Sequence, residues 1–270
     1  MDSVTLTVTD GLAVLTLNRP AAANALDLAL KTALLDGVRA IASDGSVRAV
    51  LIRAEGRNFC VGQDLAEHAA ALAASPERSM DTVAEHYNPL ISAIAGLPVP
   101  VVASVQGACV GAGLGIALAA DVVIAAESAT FATAFTSIGL ASDSGLTRSL
   151  VDAIGAVRTR AFLLLGERIS AAQALDWGLI AQVAPDHDAA ATAESAARRL
   201  AAGPTAAFAA AKALVTASLP PLGDALERER AAAAPLAATA DHRGAVAAFL
   251  DKRRPAFTGE ASSAARKEAT

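Results

Sequence analysis

The chain has 270 residues, of which 54% are hydrophobic and 18% charged, so it is long enough to bury one large core. Its formal net charge of -5 comes from 22 basic and 27 acidic residues that are interspersed, and the lack of a basic stripe argues against a nucleic-acid partner. The two cysteines, Cys60 and Cys109, have neither metal-ligand spacing nor the pattern of a secreted disulfide framework. We therefore expect a globular protein of a reducing compartment, without a metal site.

The first quarter of the chain predicts a hairpin, a helix and a strand. The segment "MDSVTLTVTDGLAVLTLNRP" alternates apolar and polar residues around a turn at Asp10-Gly11, which indicates a β-hairpin. It lacks the basic start and apolar core of a signal peptide, so a cytoplasmic location is predicted. Residues 27–43 carry apolar side chains at helical spacing and end at Asp44-Gly45. "VRAVLIRAEG" then predicts a buried strand, and "RNFCVGQDL" forms the loop into an alanine-rich helix.

The middle of the chain predicts further strands separated by helices. A helix over "HYNPLISAIAGL" precedes a strand at "VPVVASV", a glycine-studded turn and helix, and short strands in "ADVVIAAESATFA". This order predicts an α/β fold with crossover connections. Residues 99–126 are long enough for a transmembrane helix, but Pro100, Gln106, four glycines and Asp121 interrupt them. We expect no membrane span.

Beyond Gly145 the sequence predicts helices almost alone. Ser170 and Pro204 are plausible helix starts, "LIAQVAP" is the single predicted strand, and three more helices follow it as far as Arg254. We therefore predict a core over residues 1–200, a helical region for packing and assembly over 201–256, and a frayed tail over 257–270.

The glycine turn "VQGACVGAGLGIALAADVVIA" has three interpretations. Gly111 and Gly113 begin a dinucleotide fingerprint, but Ile116 stands where its third glycine belongs and the turn lies in mid-chain. Small residues could simply let a helix pack tightly against a strand. The loop "FCVGQDL", however, also follows a strand and opens a helix, so the chain twice presents backbone N–H groups at a helix start. Two such donors that converge form an oxyanion hole.

Five segments, in order over nearly the whole chain, resemble the enoyl-CoA hydratase/isomerase (crotonase) superfamily: "LNRPAAANAL", "RNFCVGQDL", "PVPVVASVQGACVGAGLGIALAADVVIA", "FATAFTSIGLASDSG" and "SAAQALDWGLIAQV". The resemblance implies a crotonase-like α/β spiral of ββα repeats, with C-terminal helices that assemble a homotrimer or a dimer of trimers. It implies an acyl-CoA thioester as substrate. Coenzyme A is then part of the substrate, and no separate cofactor or metal is expected.

Carried over by motif, the oxyanion donors would be the backbone N–H groups of Gln63 and Ala112, which stabilise a thioester enolate. The segment "AAFLDKRRPAF" is similar to the family segment whose phenylalanine and lysine reach the coenzyme A of a neighbouring subunit, although a solvated basic face is equally compatible with it. Asp64 could instead cap the helix that follows it. The resemblance implies substrate or coenzyme A contacts at Ala23, Ala25, Gln63, Asp64, Leu65, Gly111, Phe135, Phe249 and Lys252.

The two glutamates that activate water in hydratases of this family are missing, because Gly115 and Phe135 occupy their positions. Asp143, in "IGLASDSG", falls where double-bond isomerases of the family carry their acidic residue, although it could also merely cap the next helix. "FCVGQDL", "YNPL" and "AFTSIGLASDSG" most resemble the ring-1,2-epoxyphenylacetyl-CoA isomerases of aerobic phenylacetate degradation.

The resulting hypothesis is an acyl-CoA isomerase that shifts a double bond, or rearranges a ring epoxide, with Asp143 as proton shuttle. The alternatives are a hydratase or other enolate chemistry on the same fold, a CoA-thioester-binding protein without turnover, and an NAD-binding protein. Tyr87 is expected to pack in the core. No catalytic triad or metal spacing involves the four histidines, His68, His86, His187 and His242.

Overall fold

A computed structural model describes residues 2–217 and 221–256, so the predicted tail over 257–270 lies outside the described residues. Within those ranges the chain forms ten α-helices and nine strands, which are interspersed as far as β9 and followed by four consecutive helices, and this confirms the predicted α/β class. The strands are β1 Val4–Thr9, β2 Leu12–Leu17, β3 Ala49–Ala54, β4 Val101–Val105, β5 Ala108–Val110, β6 Val122–Ala126, β7 Thr130–Ala132, β8 Ile169–Ser170 and β9 Gln182–Ala184. The helices are α1 Leu28–Ser43, α2 Leu65–Ala74, α3 Asn88–Ala95, α4 Ala112–Leu118, α5 Leu146–Leu165, α6 Ala171–Asp176, α7 Ala189–Ala202, α8 Thr205–Ala217, α9 Leu222–Ala237 and α10 Ala240–Leu250.

The N-terminal hairpin and first helix match their predictions. Strands β1 and β2 pair antiparallel, and Asp10 and Gly11 connect them with φ angles of 52° and 78°. Two consecutive positive φ angles are those of a type I′ turn, whose twist suits a two-residue hairpin. Helix α1 follows Asp27, whose carboxylate accepts a 2.8 Å hydrogen bond from the Leu30 N–H as an N-cap.

The larger sheet has six strands in the order β1-β2-β3-β4-β6-β9, and every pair except β1-β2 is parallel. Its central strands are apolar on both sides because both faces are covered. The main core lies on one face, and helix α7 packs on the other through small side chains such as Ala193 and Ala197. The stretch 99–126 is therefore divided among β4, β5, α4 and β6, all within this core.

The smaller sheet has three strands in the order β5-β7-β8, and a parallel bridge from Cys60 to Cys109 extends it beyond β5. The chain repeats one order: a strand of the larger sheet is followed by a short strand of the smaller sheet and then by a helix. Examples are β4, β5 and α4, and then β6, β7 and α5. The segments that end at Cys60, Val110 and Ala132 run parallel side by side. Their C-terminal ends meet at one edge, which is where such sheets bind ligands.

The C-terminal half differs from the prediction in two respects. A second short strand, β8, pairs with β7 through two residues, too few to leave a sequence signal. Four helices, not three, follow "LIAQVAP", because Gly203-Pro204 separates α7 from α8 and Thr239 caps a separate α10. The predicted start at Ser170 is confirmed, since its hydroxyl accepts from the Gln173 N–H.

Among the described residues, no single helix is long and apolar enough to cross a bilayer. Helices α7 and α8 meet the criteria of length and composition only as a pair, and the pair is bent by 108°.

Candidate functional site

The loop after Cys60 is the first part of the site. Gly62 has φ of +86°, a conformation that L side chains rarely adopt. The Asp64 carboxylate accepts the N–H groups of Ala66 and Glu67 at 3.0 and 3.1 Å, so it caps helix α2 as one interpretation predicted. This cap fixes the direction in which the preceding Gln63 enters the helix.

Arg19 joins this loop to the segment that carries Ala23 and Ala25. Its guanidinium donates to the Ala25 carbonyl at 2.9 Å and pairs with Asp64 at 2.8 Å and Asp27 at 3.0 Å. Leu26 forms a bridge with Gln63, donating to Gly62 and accepting from Asp64. The structure therefore brings two sequence-distant groups of predicted contact residues together, one around residue 25 and one around residue 64.

The glycine turn lies directly against the first loop. Gly111 precedes α4 with φ of 56° and ψ of -127°, a conformation reserved for glycine. A methyl group placed on Gly62 would lie 3.5 Å from the Ala112 nitrogen and 3.6 Å from the Gly111 Cα. The N–H groups of Gln63 and Ala112 donate no hydrogen bond to any residue of 2–217 or 221–256. Two neighbouring loops thus each leave one backbone donor unused.

Phe135 forms an apolar wall beside these loops. It is buried, and its Cζ would lie 3.9 Å from a methyl group placed on Gly111. An aromatic ring here makes the surroundings of the two donors poorer in water, which strengthens any electrostatic interaction that they make.

Helix α4 also contacts the loop that carries Asp143. A Cβ on Gly115 would lie 2.5 Å from the Ser144 Cβ and 2.7 Å from the Ser144 carbonyl oxygen. Such distances do not occur between real atoms, so only glycine fits at this position. The contact holds the Asp143-Ser144 peptide against the helix that begins with the Ala112 donor. It also leaves no room for the carboxylate that hydratases of the resembled family carry there.

Asp143 is a buried carboxyl group with one hydrogen-bond donor. Its side chain is 2% exposed and accepts the Ser144 hydroxyl at 2.7 Å. Burial raises the pKa of Asp143 to about 7, the Ser144 hydrogen bond partly opposes the rise, and the charge of Glu229 adds to it. A carboxyl group with a pKa near neutrality can both take up and release a proton at neutral pH.

Asp143 is not the cap of helix α5, so the capping alternative is wrong. Glu229 of α9 has that role: it accepts the N–H groups of Gly145 at 2.7 Å and Thr147 at 2.6 Å, together with the Thr147 hydroxyl. These bonds occupy the Glu229 carboxylate, whereas the Asp143 carboxylate accepts only the Ser144 hydroxyl among the described residues.

The buried Tyr87 packs in the core as predicted, with the Lys31 ammonium 5.6 Å from its ring centroid. Its hydroxyl has no hydrogen-bond partner in the described part of the chain. Burial raises the pKa of Tyr87 well above its usual value, and the nearby charge of Asp143 adds to this rise. Tyr87 is therefore a neutral phenol on the Asp143 side of the core.

A cavity of about 360 Å³ opens beside the Asp143 loop, between α5 and α9, with Arg148 and Arg228 in its wall. Ser142 and Glu229 line it, whereas Asp143 and the two donor residues, Gln63 and Ala112, do not. No cluster of three or more His, Cys, Asp or Glu side chains within 2–217 and 221–256 is arranged to hold a metal ion.

Two predicted contact residues stay apart from the rest in this single chain. Phe249 is 58% exposed at the end of α10, and Lys252 follows it with φ of 54°. Neither side chain makes a hydrogen bond or ion pair with the described site residues. Leu65, by contrast, is half-buried at the first position of α2, next to Asp64.

Sequence reasoning missed three partners of the site. Arg19, the Glu229 cap and a buried contact between His68 and His242 each depend on residues far apart in the chain. The first had a local signal, since an arginine just before Pro20 precedes two of the predicted contacts. The other two had none.

Comparisons with known proteins agree with this architecture. A family model described as enoyl-CoA hydratase/isomerase matches residues 7–260. A probable enoyl-CoA hydratase of Rhodobacter capsulatus is 44% identical over 257 residues, covering 93% of this chain and 96% of that protein. A 1,2-epoxyphenylacetyl-CoA isomerase of Escherichia coli is 38% identical over 262 residues, covering 96% and 100%. The crystal structure of an enoyl-CoA hydratase from Mycobacterium avium subsp. paratuberculosis superposes with a TM-score of 0.86 at 37% identity, covering 95% of this chain and 98% of that one.

Proposed function

The chain belongs to the enoyl-CoA hydratase/isomerase family, with the crotonase-type fold that its motifs predicted, and we propose that it isomerises an acyl-CoA thioester with Asp143 as the proton shuttle. The observation that carries the proposal is the buried carboxyl group of Asp143, with its raised pKa, on the loop that packs against the oxyanion helix. At the two hydratase positions the chain has Gly115 and Phe135, neither of which can activate water.

The proposed reaction moves one proton and no other atom. With a 3-enoyl-CoA bound, the thioester oxygen accepts hydrogen bonds from the N–H groups of Gln63 and Ala112. The Asp143 carboxylate removes a proton from C2, and the electron pair moves onto the thioester oxygen as a dienolate. The same carboxyl group returns the proton to C4, so the double bond moves to C2–C3. The Ser144 hydroxyl, bonded to Asp143, orients the carboxylate. Coenzyme A is part of the substrate, and the mechanism uses no other cofactor.

The proposed acyl group is a linear enoyl chain or an aromatic ring epoxide. The Escherichia coli relative is named for isomerisation of an aromatic ring epoxide, and the apolar wall at Phe135 suits either substrate. Hydration remains the principal rival, because relatives of similar identity are named as hydratases.

The proposal is tested by the products that the wild-type protein makes. We expect conversion of trans-3-enoyl-CoA to trans-2-enoyl-CoA, with hydration of trans-2-enoyl-CoA at least about 100-fold slower. Deuterium from solvent enters C4 to the extent that the proton on Asp143 exchanges with solvent before it is returned. Mass spectrometry and separate assays of double-bond position and water addition measure both. If neither linear ester reacts, the epoxide-derived aromatic CoA ester is assayed in the same way. Hydration as fast as isomerisation would refute the proposal, and so would tight CoA-ester binding with no turnover and no deuterium exchange.

The activity should follow the ionisation of Asp143. A general base must be deprotonated, so kcat/KM should rise about tenfold per pH unit below pH 7 and level off above it. A pH profile from 5 to 9, at temperatures where the protein stays folded, measures the apparent pKa. A profile that is flat across neutrality would point to a different base.

We also propose a homotrimer or a dimer of trimers, supported by exposed apolar side chains on the C-terminal helices. Val157, Leu164 and Leu165 of α5 are 75%, 71% and 68% exposed. Such a patch suits an interface between copies of the chain. The free thiols of Cys60 and Cys109 support the proposal of a reducing, cytoplasmic setting. In the proposed trimer, Phe249 and Lys252 would contact the coenzyme A bound to the neighbouring subunit.

A further inference from the structure

Two histidines that are 174 residues apart in the sequence are in contact in the interior. His68 lies in α2 and His242 in α10, and their Nε2 atoms are 2.7 Å apart. The two residues are 1% and 0% exposed. A buried polar pair of this kind must have its hydrogen bonds satisfied, because leaving either ring unpaired would destabilise the fold.

The hydrogen bonds around the pair can run in only one direction while both rings are neutral. The Ile138 carbonyl oxygen, 2.5 Å from His242 Nδ1, can only accept, so Nδ1 carries the hydrogen of His242. His242 Nε2 therefore accepts from His68 Nε2–H. His68 Nδ1 is left as an acceptor, and the Gln63 side-chain amide lies 3.3 Å from it as a donor.

The result is a relay of four groups: Gln63 donates to His68, His68 to His242, and His242 to the Ile138 carbonyl. The two ends of this relay lie on the two loops that the proposed reaction uses. Gln63 carries one oxyanion donor on its backbone. Ile138 ends the 3₁₀ turn Thr136–Ile138, on the loop that continues to Asp143.

A second contact fixes the same loop to α10. Gly139 has φ of +74°, and a methyl group on it would lie 3.2 Å from both the Cα and the nitrogen of His242. The loop that leads to Asp143 is therefore in van der Waals contact with the helix that carries the second histidine. Movement of α10 would move that loop.

Both rings are held neutral by their surroundings. Burial, with smaller contributions from the neighbouring His242 and Lys31, lowers the pKa of His68 to about 4. Burial also lowers the pKa of His242, the Ile138 carbonyl opposes this, and the charge of Arg243 adds to it. Glu67 faces the same region but is bonded to Lys31. Neutral rings are what the relay requires.

We propose that His68 and His242 are positioning residues, which set the distance between the Gln63 oxyanion donor and the Asp143 proton shuttle. The inference rests on the proposed function, since it names two groups whose separation matters only if both act on one thioester. Positioning of this kind stabilises the transition state, in which the enolate oxygen and the transferred proton must be met together. It has little effect on ground-state binding.

The test replaces each ring by one of similar shape. His68→Phe and His242→Phe should each lower kcat for isomerisation by about 10- to 100-fold with KM changed less than about threefold. Because the two act in one relay, the double variant should be no slower than the slower single variant. His68→Gln, which keeps a donor toward His242, should recover part of the loss. His187→Phe, at an 82% exposed side chain, is the matched control and should keep wild-type kcat.

Two further measurements keep the inference testable if a buried variant folds poorly or if the substrate class is wrong. Gln63→Leu removes the relay's first donor without entering the core, keeps the backbone N–H, and should lower kcat by about three- to tenfold. In the absence of substrate, His242→Phe should raise amide hydrogen exchange in residues 62–64 and 138–143 together.

The outcomes separate the two proposals. Isomerisation that depends on Asp143 but is unchanged in His68→Phe, His242→Phe and Gln63→Leu would overturn the positioning role alone. Absence of isomerisation in the wild type would overturn the proposed function, and the exchange measurement would still decide whether the relay couples the two loops. Unchanged exchange in both segments contradicts the inference in either case.

Discussion

Asp143→Asn is expected to lower kcat for isomerisation by about 10²- to 10⁴-fold, because the amide keeps the shape of the carboxylate but cannot accept a proton from carbon. KM for the CoA ester should change little, since no other described residue relies on the carboxylate except the Ser144 hydroxyl. Separate kcat and KM measurements with trans-3-enoyl-CoA check this. Asp36→Asn, at an exposed position of α1, is the matched control.

The same substitution is expected to stabilise the fold. The pKa of Asp143 is raised in the folded protein from 3.8 to about 7, so the unfolded chain loses its proton first as pH rises. Wild-type stability therefore falls between about pH 4 and pH 7 and is lowest with respect to this group above that range. Asp143→Asn removes the fall, so it should gain roughly 4 kcal/mol at pH 8 and almost nothing at pH 4.

Chemical denaturation of both proteins at pH 4 and pH 8 measures this difference. A variant that is inactive and also less stable at pH 8 would show that Asp143 has a structural role, and the proton-shuttle assignment would lose its main support. Equal stability at both pH values would mean that the folded carboxyl group has an ordinary pKa.

Gly115→Glu, which restores the glutamate of hydratases by position, is expected to unfold or severely destabilise the protein rather than create a hydratase. The new Cβ would lie 2.5 Å from the Ser144 Cβ, and both helix α4 and the Asp143 loop are buried. Overpacking and a buried charge together should lower the free energy of unfolding by at least about 3 kcal/mol.

Gly223→Glu is the matched control, because Gly223 is a helical glycine with open space around it, in the first turn of α9. It should change stability by less than about 1 kcal/mol. Thermal unfolding and hydration of trans-2-enoyl-CoA are measured for both variants. A stable Gly115→Glu protein that hydrates the substrate would show that the α4–Ser144 contact yields easily and that the wild type lacks only a carboxylate.

The local features of the site were predictable because their signals lie in short stretches of sequence. The turn at Asp10-Gly11, the cap at Asp64 and the glycine turn before α4 each follow from a few adjacent residues whose backbone preferences are strong. The alternation of strands and helices gave the fold class for the same reason.

The long-range features were not predictable from one sequence. Glu229 reaches Gly145 across 84 residues, and His68 reaches His242 across 174. Nothing in the local pattern around an isolated glutamate or histidine indicates which distant helix will pack beside it. The tight fit of Gly115 against Ser144 also has no sequence signal, because the sequence shows only that a glycine occupies the position of the hydratase glutamate. Strand β8, with two residues, is too short for any periodicity to detect.

The cap that Glu229 provides has a consequence for how the chain could adapt. Its carboxylate stabilises the first turn of α5, and its charge adds to the effect of burial in raising the pKa of Asp143. A single residue of α9 therefore both caps helix α5 and contributes to the raised pKa of Asp143. Glu229→Gln would keep one oxygen acceptor, enough for Thr147, but lose the acceptor for the Gly145 N–H. It would also remove a charge that raises the pKa of Asp143, so the working pH range of the catalyst can change through a residue outside the proposed active site.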